Sequence, residues 1–291
     1  DMARQLGTID TICACYDQLP DMERRVADFI LQNRADVPHL SVRDIAKDSQ
    51  TSGATVSRFV RHAGFDSFAS MRLAIASEQA AGDDSVAEAA TEISPRNIAG
   101  SLEYILETKV QELRSTVSQI SADALERALD LIRACDTLCF AAVGNSIPVC
   151  ANLAFKLGQI GRRAVCPTTT ESMILASLSL RRTDVLFVVS ASGYSRRLET
   201  IIDNAEDSDT PIVFVTSNPS SSLAARADVV LPVVSRDQLL AGGQFSSHVS
   251  PDFLVEALFL LLYASADDAR EHARMERKSL GRDKESTPTL N

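Results

Sequence analysis

Three serines and a glycine fall within six residues at Ser190-Ala191-Ser192-Gly193-Tyr194-Ser195, and Gly144-Asn145-Ser146 offers the same chemistry earlier in the chain. Hydroxyls and the unpaired amides of a helix start together make a cradle for an anion, and glycine lets the backbone come close, so phosphate is the natural guest. Each cluster follows a compact apolar run, LCFAAV at 138–143 and VLFVVS at 185–190, and precedes a helix-length amphipathic stretch. A loop so placed lies at the carboxyl end of a parallel strand, where open α/β sheets bind their ligands. Thr216-Ser217-Asn218 occupies the same position after IVFVTS at 212–217. Serine, glycine and asparagine are also ordinary turn and cap residues, so one such loop alone means little. The repetition of strand, hydroxyl loop and helix is what points to a ligand site. The ligand-binding candidates are Gly144, Asn145, Ser146, Ser190, Ser192, Gly193 and Ser195. No G-x-x-x-x-G-K-[ST] sequence supports nucleotide hydrolysis.

A second chemistry sits near the N-terminus. Between Gly53 and Arg72 the charges are Arg58, Arg61 and Arg72 against Asp66 alone, within a chain whose 29 Lys+Arg and 39 Asp+Glu leave a net charge of -10. Bulk electrostatics therefore exclude a protein that coats nucleic acid, and any DNA contact must be local. The spacing predicts a helix over Val42–Ser49, a turn at Gln50–Gly53 and a second helix over Ala54–His62, which is helix-turn-helix geometry. Val56, Phe59 and Val60 form the inward stripe of the second helix. Ser52, Thr55, Ser57, Arg58, Arg61 and His62 are the DNA-binding candidates, with Ser52, Thr55 and the first-turn amides placed to hold phosphate or reach base edges. Short polar-faced helices are also common in proteins that never meet DNA.

The elements that must carry these residues follow from apolar periodicity. From Asp21 to about Ala80 it is helical, with Ser41 as an N-cap and Asp44 three residues on as the acid of a capping box. Ser77–Asn97 holds no aromatic residue and a Gly-Asp-Asp turn, so the expected division is a DNA-binding domain over 1–80, a linker at 81–97, a ligand-binding domain with leading helices over 98–275 and a polar, disordered tail at 276–291. Ile98–Gln119 reads as one amphipathic helix with Leu102, Ile105, Leu106, Lys109, Val110 and Leu113 on or beside one face, and Ala122–Ala134 as another. Four compact apolar runs, the three above and VVLPVV at 229–234, alternate with helix-length stretches, the pattern of parallel strands buried on both faces.

The six cysteines form no C-x-x-C pair and only four histidines could complete a metal site, so buried reduced thiols are expected, with no metal and no cofactor. No run approaches the roughly 20 apolar residues of a membrane span, since Phe253–Ala266 is short and carries Glu256, and the N-terminus lacks a secretory pattern; a cytoplasmic protein is expected.

Ser41-Val42-Arg43-Asp44-Ile45-Ala46, Thr51-Ser52-Gly53-Ala54-Thr55-Val56-Ser57-Arg58-Phe59 and Ala63-Gly64-Phe65 resemble the N-terminal domain of RpiR-family regulators over residues 5–80. That resemblance makes Ala54–His62 the recognition helix. The Gly144 and Ser190 loops, Asp184-Val185, Leu223-Ala224 and Ala227-Asp228-Val229 resemble the sugar isomerase (SIS) domain over residues 125–265. Together they imply an all-α helix-turn-helix domain followed by an α/β domain with a doubly wound, mainly parallel five-stranded sheet. They also imply that Ser146, Ser190, Ser192 and Ser195 hydrogen-bond a phosphosugar. Tyr194 is bulky where the family's loop is small or acidic, and Ser195 replaces the commoner threonine. SIS domains also occur in phosphosugar isomerases and lyases, which need a base; Glu171, His248 and Glu256 are candidates, with structural roles as the alternative for each. The attached helix-turn-helix favours a regulator that is not an enzyme, whose partners are a double-stranded DNA operator and a sugar-phosphate effector, acting as a homodimer or homotetramer without a membrane.

Overall fold

The computed structural model describes residues 7–81, 93–241, 247–265, 271–272, 274–275 and 277–279. Most of the expected linker and of the expected polar tail therefore lies outside the described residues. The helices are α1 (Thr8–Cys15), α2 (Asp21–Gln32), α3 (Val42–Asp48), α4 (Gly53–His62), α5 (Phe68–Ala81), α6 (Ile98–Gln119), α7 (Ala122–Ala134), α8 (Ile147–Gln159), α9 (Thr170–Ser177), α10 (Arg196–Asp207), α11 (Asp237–Ala241) and α12 (Val249–Ser265). The strands are β1 (Leu138–Ala142), β2 (Ala164–Val165), β3 (Val185–Val189), β4 (Ile212–Thr216) and β5 (Val229–Pro232). The chain divides into two compact units. The first takes residues 1–119 and Val233–Ser250, the second Ile120–Pro232 and Pro251 onward.

The first unit is helical. Val26, Ile30, Ile45, Val56, Phe59, Val60, Met71 and Ile75, drawn from α2 to α5, fill its core. Their spacing of three and four places one stripe of each helix inward. α3 starts on a reciprocal cap: Ser41 Oγ accepts the Asp44 amide, and the Asp44 carboxylate accepts the Ser41 amide at 2.9 Å. These bonds hold the exposed Asp44 carboxyl below its ordinary range, the Ser41 hydroxyl contributing most. The turn into α4 passes through Gln50 at φ 54°, left-handed backbone that glycine usually supplies.

α6 belongs to this unit, although it was expected to lead the second domain. The residues it buries are polar: Ser101, Thr108, Glu112 and Thr116. Ser101 bonds Ser94 and Thr108 bonds the Tyr104 carbonyl of its own helix, while Glu112 and Thr116 receive the strap Val233–Ser250, which leaves the sheet after β5. Glu112, 1% exposed, takes Lys109 Nζ at 2.8 Å, the Arg236 amide at 3.0 Å and Ser250 Oγ at 3.1 Å. Lys109 also reaches Asp237 at 3.0 Å, Thr116 Oγ1 accepts the Val234 amide at 2.9 Å, and Arg236 Nε donates to Asp10 at 2.6 Å. A charge removed from water is tolerated only with such a set of partners.

The second unit is a parallel sheet in the order β2-β1-β3-β4-β5. Every residue of β1, β3 and β4 is buried, as a strand covered by helices on both faces requires. Phe140 and Phe187, paired in register, set their rings 5.4 Å apart at the centre. β2 is only two residues long and falls outside the four apolar runs read from the sequence.

Candidate functional site

The strand order reverses direction once. From β1 the chain crosses to β2 on one side and then to β3 on the other, so the loops leaving β1 and β3 diverge and open a crevice between them. Ala142 and Val189 are the last registered pair of these two neighbouring strands. The loops that begin immediately beyond are Val143–Ser146 and Ser190–Ser195, the two hydroxyl clusters found in the sequence.

In the β1 loop Gly144 turns at φ 59° with open space around it, and the Gly144–Ser146 turn leads directly into α8. Gly144 and Asn145 are exposed and Ser146 is half-buried. In the β3 loop Ser190 is buried and its amide donates to the Val215 carbonyl at 3.0 Å, while Ser192 and Ser195 are half-buried. Ser192 Oγ donates to the Tyr194 carbonyl at 3.2 Å, and Ser195 Oγ caps α10 by accepting the Arg197 amide at 3.3 Å. The exposed Arg196 and Arg197 follow that cap, and Arg197 Nη1 donates to Thr170 Oγ1 at 3.4 Å. Positive charge and a helix start thus lie beside the serines, the combination that holds a phosphate. Tyr194, 49% exposed, directs its hydroxyl to Glu199 at 3.2 Å.

Gly193 has a packing job besides the ligand-side one expected from its sequence. Its φ is 74°, and a Cβ there would stand 2.5 Å from Ser221 Oγ and 3.1 Å from the Asn218 carbonyl. The close approach is to a neighbouring protein loop. Thr216-Ser217-Asn218 likewise acts on the β3 loop: Thr216 Oγ1 and the Ser217 amide donate to the Ala191 carbonyl, and Asn218 Nδ2 donates to that of Ser192 at 3.2 Å. The fully buried Thr216 hydroxyl is engaged inside the protein. Asn218 and Ser221 are positioning residues that the sequence reading did not single out in that role, because their partners stand far upstream in the chain.

The helix-turn-helix candidates separate in the same way. On α4, Ser52, Ser57, Arg58, Arg61 and His62 are exposed. Thr55, expected to face DNA, is buried, its hydroxyl shared by Ser52 Oγ at 3.0 Å and Arg58 Nη2 at 3.2 Å. Thr55 therefore shapes the helix start and orients Arg58. The linear charge count also missed Glu23, which is 3% exposed and meets both Arg58 (Nε at 3.6 Å) and His62 Nδ1. Its signal was visible: Glu23 stands on the same stripe of α2 as Val26, Ala27 and Ile30, an acid where the spacing calls for an apolar residue. Arg61 has no such acid beside it among the described residues.

Of the candidate bases, Glu171 is exposed in the first turn of α9, and Glu256 is exposed and paired with Lys156 at 3.6 Å. His248 lies in the strap of the first unit. Burial pushes the thiols of Cys15, Cys135 and Cys139 up to about 11 and raises Cys13, Cys150 and Cys166 as well, so none is activated as a nucleophilic thiolate. Among the described residues no three His, Cys, Asp or Glu side chains gather as a metal site would require. Among the described residues no helix is long and apolar enough to cross a membrane.

Comparison with known proteins assigns both units. Residues 6–82 match the family model for the helix-turn-helix domain of the rpiR family, and residues 131–261 match that for the SIS domain. A relative from Haemophilus influenzae, named an uncharacterized HTH-type transcriptional regulator, is 26% identical over 92% of this chain and 93% of its own length. Among solved structures, the Vibrio vulnificus NanR protein complexed with ManNAc-6P is 24% identical, with a TM-score of 0.57 over 94% of this chain and 98% of that one. The sugar isomerase domain of an RpiR transcription factor from Sphaerobacter thermophilus is also 24% identical, with a TM-score of 0.56 over 62% of this chain and 98% of that one. At such identities the two structures establish the fold, while the two family matches span more than two thirds of the chain in sequence order. With an rpiR helix-turn-helix domain ahead of a SIS domain, the protein belongs to the RpiR family.

Proposed function

We propose that the protein is a DNA-binding transcriptional regulator that senses a phosphorylated sugar, or a related sugar-acid phosphate, in the crevice between the Gly144–Ser146 and Ser190–Ser195 loops. The observation that carries this reading is the placement of two glycine-turned, serine-bearing loops on either side of the sheet's switch point, one of them capping α10 ahead of two arginines. Ser146, Ser190, Ser192 and Ser195 with the first amides of α10 bind the phosphate and neighbouring hydroxyls. Tyr194 stands at the mouth and selects among sugars. The fold it shares with a NanR protein complexed with ManNAc-6P supports the same ligand class.

The exposed face of α4 is the DNA-reading surface, with Ser52 and Ser57 near phosphate or base edges and Arg61 as the cation that no neighbouring acid restrains among the described residues. The buried Glu23 carboxylate holds Arg58 and His62 in fixed orientations, which favours sequence reading over general attraction to polyanions. Two such heads in a homodimer or homotetramer read a palindromic operator in the cytoplasm. The effector acts by binding one arrangement of the protein more tightly than another. Isomerisation has less support, because Glu171 and Glu256 are exposed and Glu256 is already paired with a lysine.

A thermal-shift screen of hexose, pentose and N-acetylhexosamine phosphates tests the sensor. A true effector at about 100 times its Kd stabilises by about 2.7 kcal/mol, and Ser192→Ala removes the shift. The operator side is tested by selecting genomic fragments with the intact protein and titrating salt. Arg61→Ala is expected to weaken binding to all sequences and to lower the log–log salt slope by about 0.9. A parent protein that selects no fragment and responds to no phosphosugar would sink the proposal.

A further inference from the structure

We infer that α6 pairs antiparallel with α6 of a second copy of this chain. The helix is inverted with respect to an ordinary surface helix. Its buried face is polar, Ser101, Thr108, Glu112 and Thr116, while Ile98, Leu102, Leu106 and Val117 are 66%, 63%, 63% and 56% exposed. With 3.6 residues per turn, Ile98, Leu102, Leu106, Val110, Leu113 and Val117 fall within one stripe that runs the length of this 22-residue helix. An apolar stripe of that extent, about 33 Å long, marks an association surface.

The occupant follows from the order of residues along the stripe. A two-fold axis at the level of Thr108 brings Ile98 opposite Val117, Leu102 opposite Leu113 and Leu106 opposite Val110, so every large apolar side chain of the stripe meets another. The same operation sets Glu103 opposite Arg114. Both are exposed and both flank the same edge of the stripe. A two-fold perpendicular to antiparallel helices keeps that edge on one side, so each pair makes two Glu103–Arg114 contacts, one at each end. In a parallel pair the two-fold runs along the helices and puts the two copies of that edge on opposite sides of the seam, so neither Glu103–Arg114 contact forms. The surface is thus complementary to itself in one direction only, the signature of an isologous interface. The segments outside the described residues, DMARQL at 1–6, GDDSVAEAATE at 82–92, GGQFS at 242–246, ADDAR at 266–270 and LGRDKESTPTLN at 280–291, each carry too few large apolar side chains to cover the stripe.

The pairing is independent of the effector and operator, so it is tested on the full chain without either. E103R and R114E alter exposed residues outside both candidate sites. Each alone makes like charges face one another at both ends, and self-association measured by sedimentation equilibrium should weaken about tenfold at low salt. Mixing the two variants restores both contacts. At one end the introduced arginine of the first chain meets the introduced glutamate of the second, and at the other the unchanged Arg114 of the first meets the unchanged Glu103 of the second. With differently tagged chains, mixed pairs should rise from the statistical half to the large majority of pairs, a readout that survives if another interface also joins subunits. Statistical mixing of the two variants, or a parent protein that is monomeric at about 100 times the concentration used for DNA binding, overturns the inference. So does restored affinity in the mixture of E103R with the parent chain, which points to a different occupant.

Discussion

Gly193 and Gly144 have similar backbone angles but different surroundings, and the difference is measurable. Both have positive φ, at 74° and 59°, yet a Cβ at Gly144 meets nothing within 4 Å whereas one at Gly193 strikes Ser221 and Asn218. Gly144→Ala should therefore cost only the left-handed penalty of about 1 kcal/mol, while Gly193→Ala adds displacement of the neighbouring loop and should cost about 2–3 kcal/mol. Urea unfolding of the two variants checks the order, and equal losses would contradict it. Residue by residue, the serines and glycines of the crevice were legible because βα loops on parallel strands lie at one rim of the sheet. Thr55 was misplaced for a local reason. A threonine at the start of a helix can face solvent or turn its hydroxyl to the cap, and only the packing of α4 against α2 and α3 decides between them.

At the scale of elements, the capped start of α3 was readable from Ser41 and Asp44, since a capping box involves only residues three apart. The turn that follows was less so, because glutamine gives no sign of adopting left-handed backbone. Gln50 at φ 54° is the exception to the usual glycine, and Gln50→Gly should stabilise the first unit by about 0.5–1 kcal/mol. Thermal unfolding at fixed pH checks the gain, and a loss would show that the Gln50 side chain contributes more than its backbone costs. β2 escaped the sequence reading because two residues carry no periodicity; the Leu138–Ala164 and Cys139–Val165 register with β1 defines it. In α6 the amphipathic pattern was plain, but which face points inward was not, since periodicity reports a difference between faces and has no sign.

Over the whole molecule, the first unit is completed by residues that follow the last strand of the second. Glu112 is the centre of that closure, holding Lys109, the Arg236 amide and Ser250 at once. Glu112→Ala leaves Lys109 with Asp237 and Ser250 with Thr116 but removes the acceptor of the Arg236 amide and opens a space beside buried polar groups, so the first unit should lose about 3 kcal/mol. Glu112→Gln keeps one acceptor oxygen for Lys109 and the Arg236 amide and turns an NH2 toward Ser250, and should lose less. Differential scanning calorimetry separates the outcomes, and a loss confined to the second unit would show that the strap belongs there.

The sequence by itself determined the class of each half, the rim on which the serine loops gather and the helix that carries the exposed basic face. Hydrophobic period, cap chemistry and strand-loop-helix order act over a few residues and are written where they act. Only the tertiary structure decided that Glu23 restrains Arg58 and His62, that Asn218 and Ser221 brace the β3 loop, and that Val233–Ser250 returns to close the helical unit around Glu112. Each of these joins groups tens of positions or more apart in the chain. Burial and charge compensation at such separations depend on which surfaces meet after the chain has folded.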